Sequence, residues 1–204
     1  MKEIENFITS QESEYLIRMI DRFAQRSMVV GQGDKMIDYS SHRTSSTSNL
    51  ISDDPTVESI QSRIARYLGV PVTKGESLQG QRYEPGQFFK SHVDYFNKSD
   101  YDKNCLASGN RTFTFMIYLN DNFSGGTTNF KHLNMEIVPK AYKAVVWNNL
   151  QHGIPNEYMH HSGEEVTKGV KYIITSWWRE NVWNSGEDQK EYEKKLKSSQ
   201  LSII

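Results

Sequence analysis

The sequence predicts a mainly β chain, a sandwich or jelly roll of short strands with N-terminal helices as supports. Three observations carry this expectation. From Ser77 onward, short runs rich in aromatic and β-branched residues alternate with turn signals. The clear helical periodicity lies in two segments before Gly69. The 204 residues suffice for one domain with a substantial core and leave little room for a second.

In chain order, Thr9-x-x-Glu12 reads as a capping box, and Leu16, Ile20 and Phe23 follow at helical spacing, so a helix is expected over residues 10–25. A second helix opens at Asp54-Pro55, carries Val57, Ile60, Ile64 and Leu68 on one face, and stops at Gly69. Between them, residues 31–49 are rich in Gly, Ser, Thr and Asp and read as a loop or lid. Strands are expected over 77–83, 90–94, 112–119, 127–130, 135–138, 144–147 and 171–178, with the clearest turn at 120–126. The loop at 96–110 is a second lid candidate, and the charged stretch 187–199 reads as a solvated tail. The expected organisation is a single domain: helical support and lid over 1–75, jelly-roll core over 76–180, polar tail over 181–204.

Charge narrows the partners. Lys plus Arg number 24 against 25 Asp plus Glu, a net charge of -1, so no global field draws the protein to nucleic acid or an anionic membrane. Cys105 is the only cysteine, which excludes an internal disulfide framework and Cys-rich metal sites. There is no basic start followed by an apolar run, and no apolar stretch long enough to span a bilayer; the expectation is a soluble, cytoplasmic protein. The sequence carries no signal for an oligomeric state.

The chemistry-bearing residues begin with His92-Val93-Asp94. On a strand, positions i and i+2 point to the same face about 7 Å apart, so both side chains could reach one ion. Six histidines and 25 acids predict about 0.7 such pairs by chance, so the pair alone is a weak signal. A non-heme Fe(II) centre needs a further histidine, leaving its other positions open for co-substrate and dioxygen. His132, His152, His160 and His161 are candidates, and pattern alone does not choose among them. The strand from Lys171 alternates Lys171, Ile173, Thr175 and Trp177 on one face with Tyr172, Ile174, Ser176 and Trp178 on the other. If the Lys171 face turns inward, a lone ammonium enters the core and needs an anion, which a bound dicarboxylate would supply; the alternative is a strand-end lysine reaching water.

Taken in order, these segments resemble the prolyl 4-hydroxylase family. The stretch 64–96 (IARYLGVPVTKGESLQGQRYEPGQFFKSHVDYF) is similar to the family's run into its iron-binding His-x-Asp. Segment 111–121 (RTFTFMIYLND) and Gly125-Gly126-Thr127-Thr128 resemble its R-x-x-T, Y-L-N-D and G-G-x-T motifs. Segment 161–172 (HSGEEVTKGVKY) resembles its distal-histidine segment, and Arg43-Thr-Ser-Ser46 and Trp177-Trp178-Arg179-Glu180 also match. Two features depart: Glu164-Glu165 stands where the family usually has Cys-Pro, and a turn glycine is missing near Tyr142. The resemblance is to the short microbial, viral or algal form.

The resemblance implies a double-stranded β-helix core with Fe(II) held by His92, Asp94 and His161. In the family the 2-oxoglutarate lysine follows the distal histidine by ten positions, which selects His161 over His160 because Lys171 lies ten residues on. It also implies that 2-oxoglutarate chelates the iron and pairs its far carboxylate with Lys171 and Thr128. Tyr83 corresponds to a pocket tyrosine, or is a packed strand aromatic; Arg111 and Trp177 correspond to substrate-facing positions, although Arg111 could simply cap a strand end. The implied reaction uses dioxygen, with ascorbate as a supporting reductant, to hydroxylate a peptidyl proline at its 4-position while 2-oxoglutarate becomes succinate. The alternatives are the same chemistry on peptidyl lysine or a free amino acid, and a jelly-roll binding module without turnover.

Overall fold

The computed structural model describes residues 1–27, 42–50, 53–184 and 186. Strand β1 (Lys2–Ile4) leads into helix α1 (Ser10–Phe23), followed by β2 (Gln25–Arg26) and β3 (Ser46–Asn49). Helix α2 (Pro55–Leu68) precedes β4 (Gln79–Tyr83) and β5 (Phe89–His92), and a short helix α3 (Lys98–Asn104) leads to the long strand β6 (Arg111–Tyr118). Next come β7 (Ser124–Gly125), β8 (Thr128–Phe130), β9 (Met135–Ile137), β10 (Ala144–Asn148), β11 (Leu150–Gln151) and β12 (Ile154–Pro155). The last strands are β13 (His161–Gly163), β14 (Val166–Lys168) and β15 (Lys171–Arg179).

Helix ends obey local chemistry. At α1, the Glu12 N–H donates to Thr9 Oγ1 (3.1 Å) and the Thr9 N–H donates to Glu12 Oε2 (2.8 Å), completing the expected capping box. The helix stops at Phe23, short of the expected end, because Ala24 turns extended and Gln25–Arg26 pair into the sheet. At α2, Asp54 accepts the N–H groups of Thr56 and Val57, and Gly69 closes the helix at φ 69°, where an L side chain would be strained.

All strand pairings among the described residues are antiparallel. A seven-stranded sheet runs β1-β10-β6-β15-β4-β3-β2, and a four-stranded sheet, β5-β13-β8-β9, lies across one of its faces. Side-chain alternation along β6 and β15 divides the core between the faces. Phe115, Ile117, Ile174 and Trp178 meet Leu16, Ile20, Val57, Ile60 and Ile64 of the two helices. Met116, Tyr118 and Ile173 join Phe130, Ile137 and Trp147 between the sheets. Helix α1 approaches β4 so closely that a Cβ on Gly80 would lie 2.3 Å from Ile20 Cγ1, so only glycine fits there. This is the expected jelly-roll core with supporting N-terminal helices.

The expectations need further local corrections, among them strand β13 at His161–Gly163, which was not expected. Residues 46–49, expected as part of a lid, form β3, where Ser46 faces Arg82 and Asn49 faces Gln79 in the register with β4; hydroxyl-rich residues hid the strand by lacking apolar alternation. The strand expected over 90–94 ends at His92, leaving Asp94 in a bend. The loop at 96–110 contains α3. Residues 31–41 of the first lid and the tail at 187–199 lie outside the described residues, while Arg43 forms an isolated bridge with Phe89. No helix among the described residues is long and apolar enough to cross a membrane.

Candidate active site

The site lies between the two sheets. In the β13–β5 pairing His161 stands directly opposite His92, which puts both imidazoles on one face with ring centroids 4.2 Å apart. Asp94 reaches them by the bend after β5, and not by strand alternation: its Oδ1 lies 3.7 Å from His92 Nε2 and its Oδ2 3.7 Å from His161 Nε2. The Asn110 side chain stabilises the turn after the bend, accepting the Phe96 N–H (2.8 Å) and donating to the Phe96 carbonyl (2.9 Å). One donor atom from each of His92, Asp94 and His161 falls within 4.8 Å of the others, the only such group among the described residues.

The donor set fits a divalent iron. His92 Nδ1 is 2.8 Å from the Lys90 carbonyl and His161 Nδ1 is 2.9 Å from the Met159 carbonyl. A carbonyl only accepts, so each Nδ1 carries a proton, and Nε2 is the atom each ring turns toward the other members of the group. Burial, reinforced by the neighbouring His161, pushes His92 down to about 3 despite the pull of Asp94, so its ring is neutral at physiological pH. Burial alone would raise the Asp94 carboxyl, but His161, His92, a hydrogen bond from Thr114 and the Arg111 charge hold it below its ordinary range. A neutral His92, an ionised Asp94 and the His161 imidazole make the two-histidine, one-carboxylate set of non-heme iron oxygenases. His160, by contrast, ends a 3-10 turn and lies against His132 (centroids 5.4 Å), and His152 sits on an exposed turn at φ 53°.

The opposite wall of the same cavity comes from the large sheet: Lys171, Ile173, Thr175 and Trp177 of β15 all line it. The inner face of β15 is therefore the one that carries the lysine. Lys171 is 1 % exposed, donates to the Gly126 carbonyl (2.6 Å), and lies over the rings of Tyr83 (5.2 Å) and Tyr118 (5.5 Å). No carboxylate pairs with it among the described residues; burial pushes it down to about 7, with Glu164 pulling weakly the other way. Tyr83 stands opposite Lys171 in the β4–β15 register and lines the cavity, as does Thr128. The Thr128 hydroxyl is 2.7 Å from that of Tyr118, whose burial pushes it far above the ordinary tyrosine range and keeps it an O–H.

Arg111 is placed differently from the other expected site residues. Its fork is taken by Glu76, with both nitrogen–oxygen distances 2.7 Å, and it is not among the lining residues. It reaches the site through its neighbours, lying 4.0 Å from the Trp177 ring and 3.4 Å from the Asp94 carbonyl oxygen. Across the cavity, Arg43 covers Phe89 (4.8 Å), which stacks on His92 (centroids 3.6 Å, 16°). Sequence reasoning overlooked Thr114 and Tyr118 as site groups. Both share the inner parity of β6 with Met116, and both fall in motifs already noticed, so alternation applied to that strand would have found them.

The 2OG-Fe(II) oxygenase superfamily pattern matches residues 78–179. The protein named "Putative prolyl 4-hydroxylase" of Acanthamoeba polyphaga mimivirus is 32% identical over 187 residues, covering 89% of this chain and 74% of the relative. Prolyl 4-hydroxylase 2 of Arabidopsis thaliana is 30% identical over 197 residues, covering 85% of this chain and 64% of that protein. Among solved structures, the fold is shared with the viral collagen prolyl hydroxylase of Paramecium bursaria Chlorella virus-1 in its 2OG complex, at a TM-score of 0.68 and 24% identity, covering 87% and 94% of the two chains. With the triad in place and the match spanning most of its length, the chain belongs to the prolyl 4-hydroxylase family of 2OG-Fe(II) oxygenases.

Proposed function

We propose that the protein hydroxylates a proline within an extended peptide at the ring's 4-position. His92, Asp94 and His161 would hold Fe(II), and Lys171 with Thr128 would hold the far carboxylate of 2-oxoglutarate. The observation that carries the co-substrate half is the buried Lys171 cation, without a carboxylate partner among the described residues, in the wall of the cavity that contains the triad. A buried ammonium costs several kcal/mol unless a counter-charge offsets it, and a dicarboxylate long enough to reach both ends supplies one. Bound together, Fe(II), 2-oxoglutarate and dioxygen supply the oxidation, one oxygen atom entering the substrate C–H bond and the other succinate, with loss of carbon dioxide.

The chain's own residues bind, orient and shield. Tyr118, kept protonated, can donate its hydroxyl proton to Thr128 and so turn the Thr128 proton toward a bound carboxylate. Met116, Trp147 and Ile173 give the cavity an apolar lining that strengthens the Lys171 ion pair by excluding water. The Trp177 ring, backed by Arg111, offers a flat face for a pyrrolidine ring, and its buried indole N–H has no partner among the described residues and is available to a substrate carbonyl. A polyproline II segment leaves its carbonyls free and loses little conformational entropy on binding.

The test is incubation with Fe(II), 2-oxoglutarate, ascorbate and a peptide panel, followed by mass spectrometry and succinate assay. Succinate should rise with proline-rich peptides, which gain one oxygen per site, and scarcely at all with free proline. Turnover of lysine peptides or free amino acids in place of proline peptides would overturn the prolyl assignment while leaving the iron site intact. Ascorbate should prolong turnover without altering the product.

A further inference from the structure

A chain of three buried side chains stands behind the carboxylate ligand. Thr114 Oγ1 donates to Asp94 Oδ2 at 2.6 Å, and Asn149 Nδ2 donates to Thr114 Oγ1 at 2.8 Å. Thr114 and Asn149 are fully buried and Asp94 is nearly so. The direction of the chain follows from which groups own protons. An ionised carboxylate only accepts, so Thr114 must point its single proton at Asp94. The Thr114 oxygen is then left as an acceptor, and only the amide nitrogen of Asn149 can satisfy it.

Asn149 is fixed at both ends of its backbone: its N–H donates to the Thr112 carbonyl (2.8 Å) and its carbonyl accepts the Asn156 N–H (2.9 Å). Its side-chain oxygen has no partner among the described residues. The amide is thus held in an orientation that serves the nitrogen and leaves the oxygen without compensation, an arrangement packing alone does not favour. Thr114 lies on β6 between Trp147 of β10 and Trp177 of β15 in the sheet register, so the hydroxyl springs from the most enclosed part of the large sheet.

We propose that Asn149 and Thr114 are positioning residues that set the rotation and the acceptor strength of Asp94 toward the metal. This rests on the reading of His92, Asp94 and His161 as a metal centre. The Asn149 amide blocks the alternative hydroxyl orientation, so the Thr114 proton stays on Asp94 and the carboxylate cannot swing away from the two imidazoles. Asp94 lies in a bend outside the strand, so side-chain restraint does for it what strand pairing does for His92 and His161.

Co(II) titration of the full chain, followed by visible absorption, tests this without turnover. Thr114→Val keeps the shape and deletes the hydroxyl, and it should weaken Co(II) binding about 10- to 100-fold and change the ligand-field bands. Asn149→Asp puts an acceptor where a donor is needed, pulls the Thr114 proton away from Asp94, and should weaken binding at least as much. Thr114→Ser restores the hydroxyl and should bring affinity back to within about threefold of wild type with wild-type bands. Circular dichroism and thermal melting confirm that each variant is folded; if Asn149→Asp fails to fold, the Val and Ser pair still decides. Wild-type affinity and bands in folded Thr114→Val, or equal losses in Val and Ser, would overturn the inference alone. A wild-type chain that took up no Co(II) would overturn it together with the metal-centre reading.

Discussion

The two walls of the cavity are built on opposite principles. On the small sheet, each imidazole has a backbone carbonyl for its second nitrogen, and Asp94 beside them has Thr114; every polar atom that does not face the other ligands is satisfied. On the large sheet, Lys171 enters an apolar wall with one carbonyl and two aromatic faces as company. The first wall has its polar contacts made within the chain. The second holds a buried lysine with no carboxylate partner among the described residues, so an anion bound there would depend on its charge. The metal end should therefore respond to geometry, and the co-substrate end to protonation.

Deleting a ligand gives the largest expected effect. His161→Ala should abolish metal-dependent turnover and reduce metal affinity by more than about 100-fold, because two ligands remain of three. His160→Ala, one residue away but against His132, should retain both. Metal titration of the two variants side by side checks this, and the reverse pattern would remove His161 from the site.

Lys171→Ala should raise the 2-oxoglutarate requirement about 100-fold or more, since it leaves a buried carboxylate unpaired at a cost of about 3–5 kcal/mol. Metal affinity should stay within a few-fold, because the lysine and the triad come from different sheets. Lys171→Arg should also be impaired, a planar fork being a poor replacement for a point charge in an enclosed site. Equal losses of metal and 2-oxoglutarate affinity in Lys171→Ala would erase the distinction between the walls.

The Lys171 value gives the distinction a pH signature. In the unfolded chain the lysine titrates near 10.5 and in the folded protein near 7, so between those values the unfolded chain holds more protons and stability without co-substrate rises with pH. Below about 7 both states are protonated and the burial penalty is fully present. Co-substrate binding runs the other way, since a carboxylate wants the ammonium. Above about 7, 2-oxoglutarate binding must take up a proton, and its affinity should fall by up to about tenfold per pH unit. Anaerobic calorimetry in buffers of different ionisation enthalpy measures that uptake directly. Affinity that is independent of pH and unaccompanied by proton uptake above about 7 would mean the lysine never loses its charge.

Legibility in the sequence tracked how local the determinants were. The helix ends were readable because capping is decided within four residues, as Thr9 with Glu12 and Asp54 with Val57 show. The face of β15 that carries Lys171 followed from parity once its direction was known, and apolar Ile173 and Ile174 on both sides left that direction open until the helices were seen to cover Ile174. Asp94 was expected on a strand because His-x-Asp fits alternation, yet a bend places it; two-residue spacing does not distinguish the two geometries. Strand β3 was missed because Ser46, Thr47, Ser48 and Asn49 carry no apolar signal, its pairing with β4 being a tertiary fact. The role of Arg111 depends on Glu76, 35 positions away, and no local pattern links them.

The smallest expected effect concerns Tyr118, which connects the core of the large sheet to the co-substrate end. Tyr118→Phe preserves a fully buried ring and deletes one oxygen, so packing and metal affinity should be unchanged. It removes the hydroxyl partner of Thr128, so the Thr128 proton is no longer oriented by it. The co-substrate carboxylate would lose an oriented hydrogen bond but keep its ion pair, so 2-oxoglutarate affinity should fall about threefold to tenfold, the range of about 0.5–1.5 kcal/mol for one neutral hydrogen bond. Thr128→Val should cost about the same, and the double variant little more than either, because both deletions break one linkage. Additive losses in that cycle would show that Tyr118 and Thr128 act separately, and an unchanged affinity in Tyr118→Phe would leave Lys171 as the sole polar determinant of the large-sheet wall.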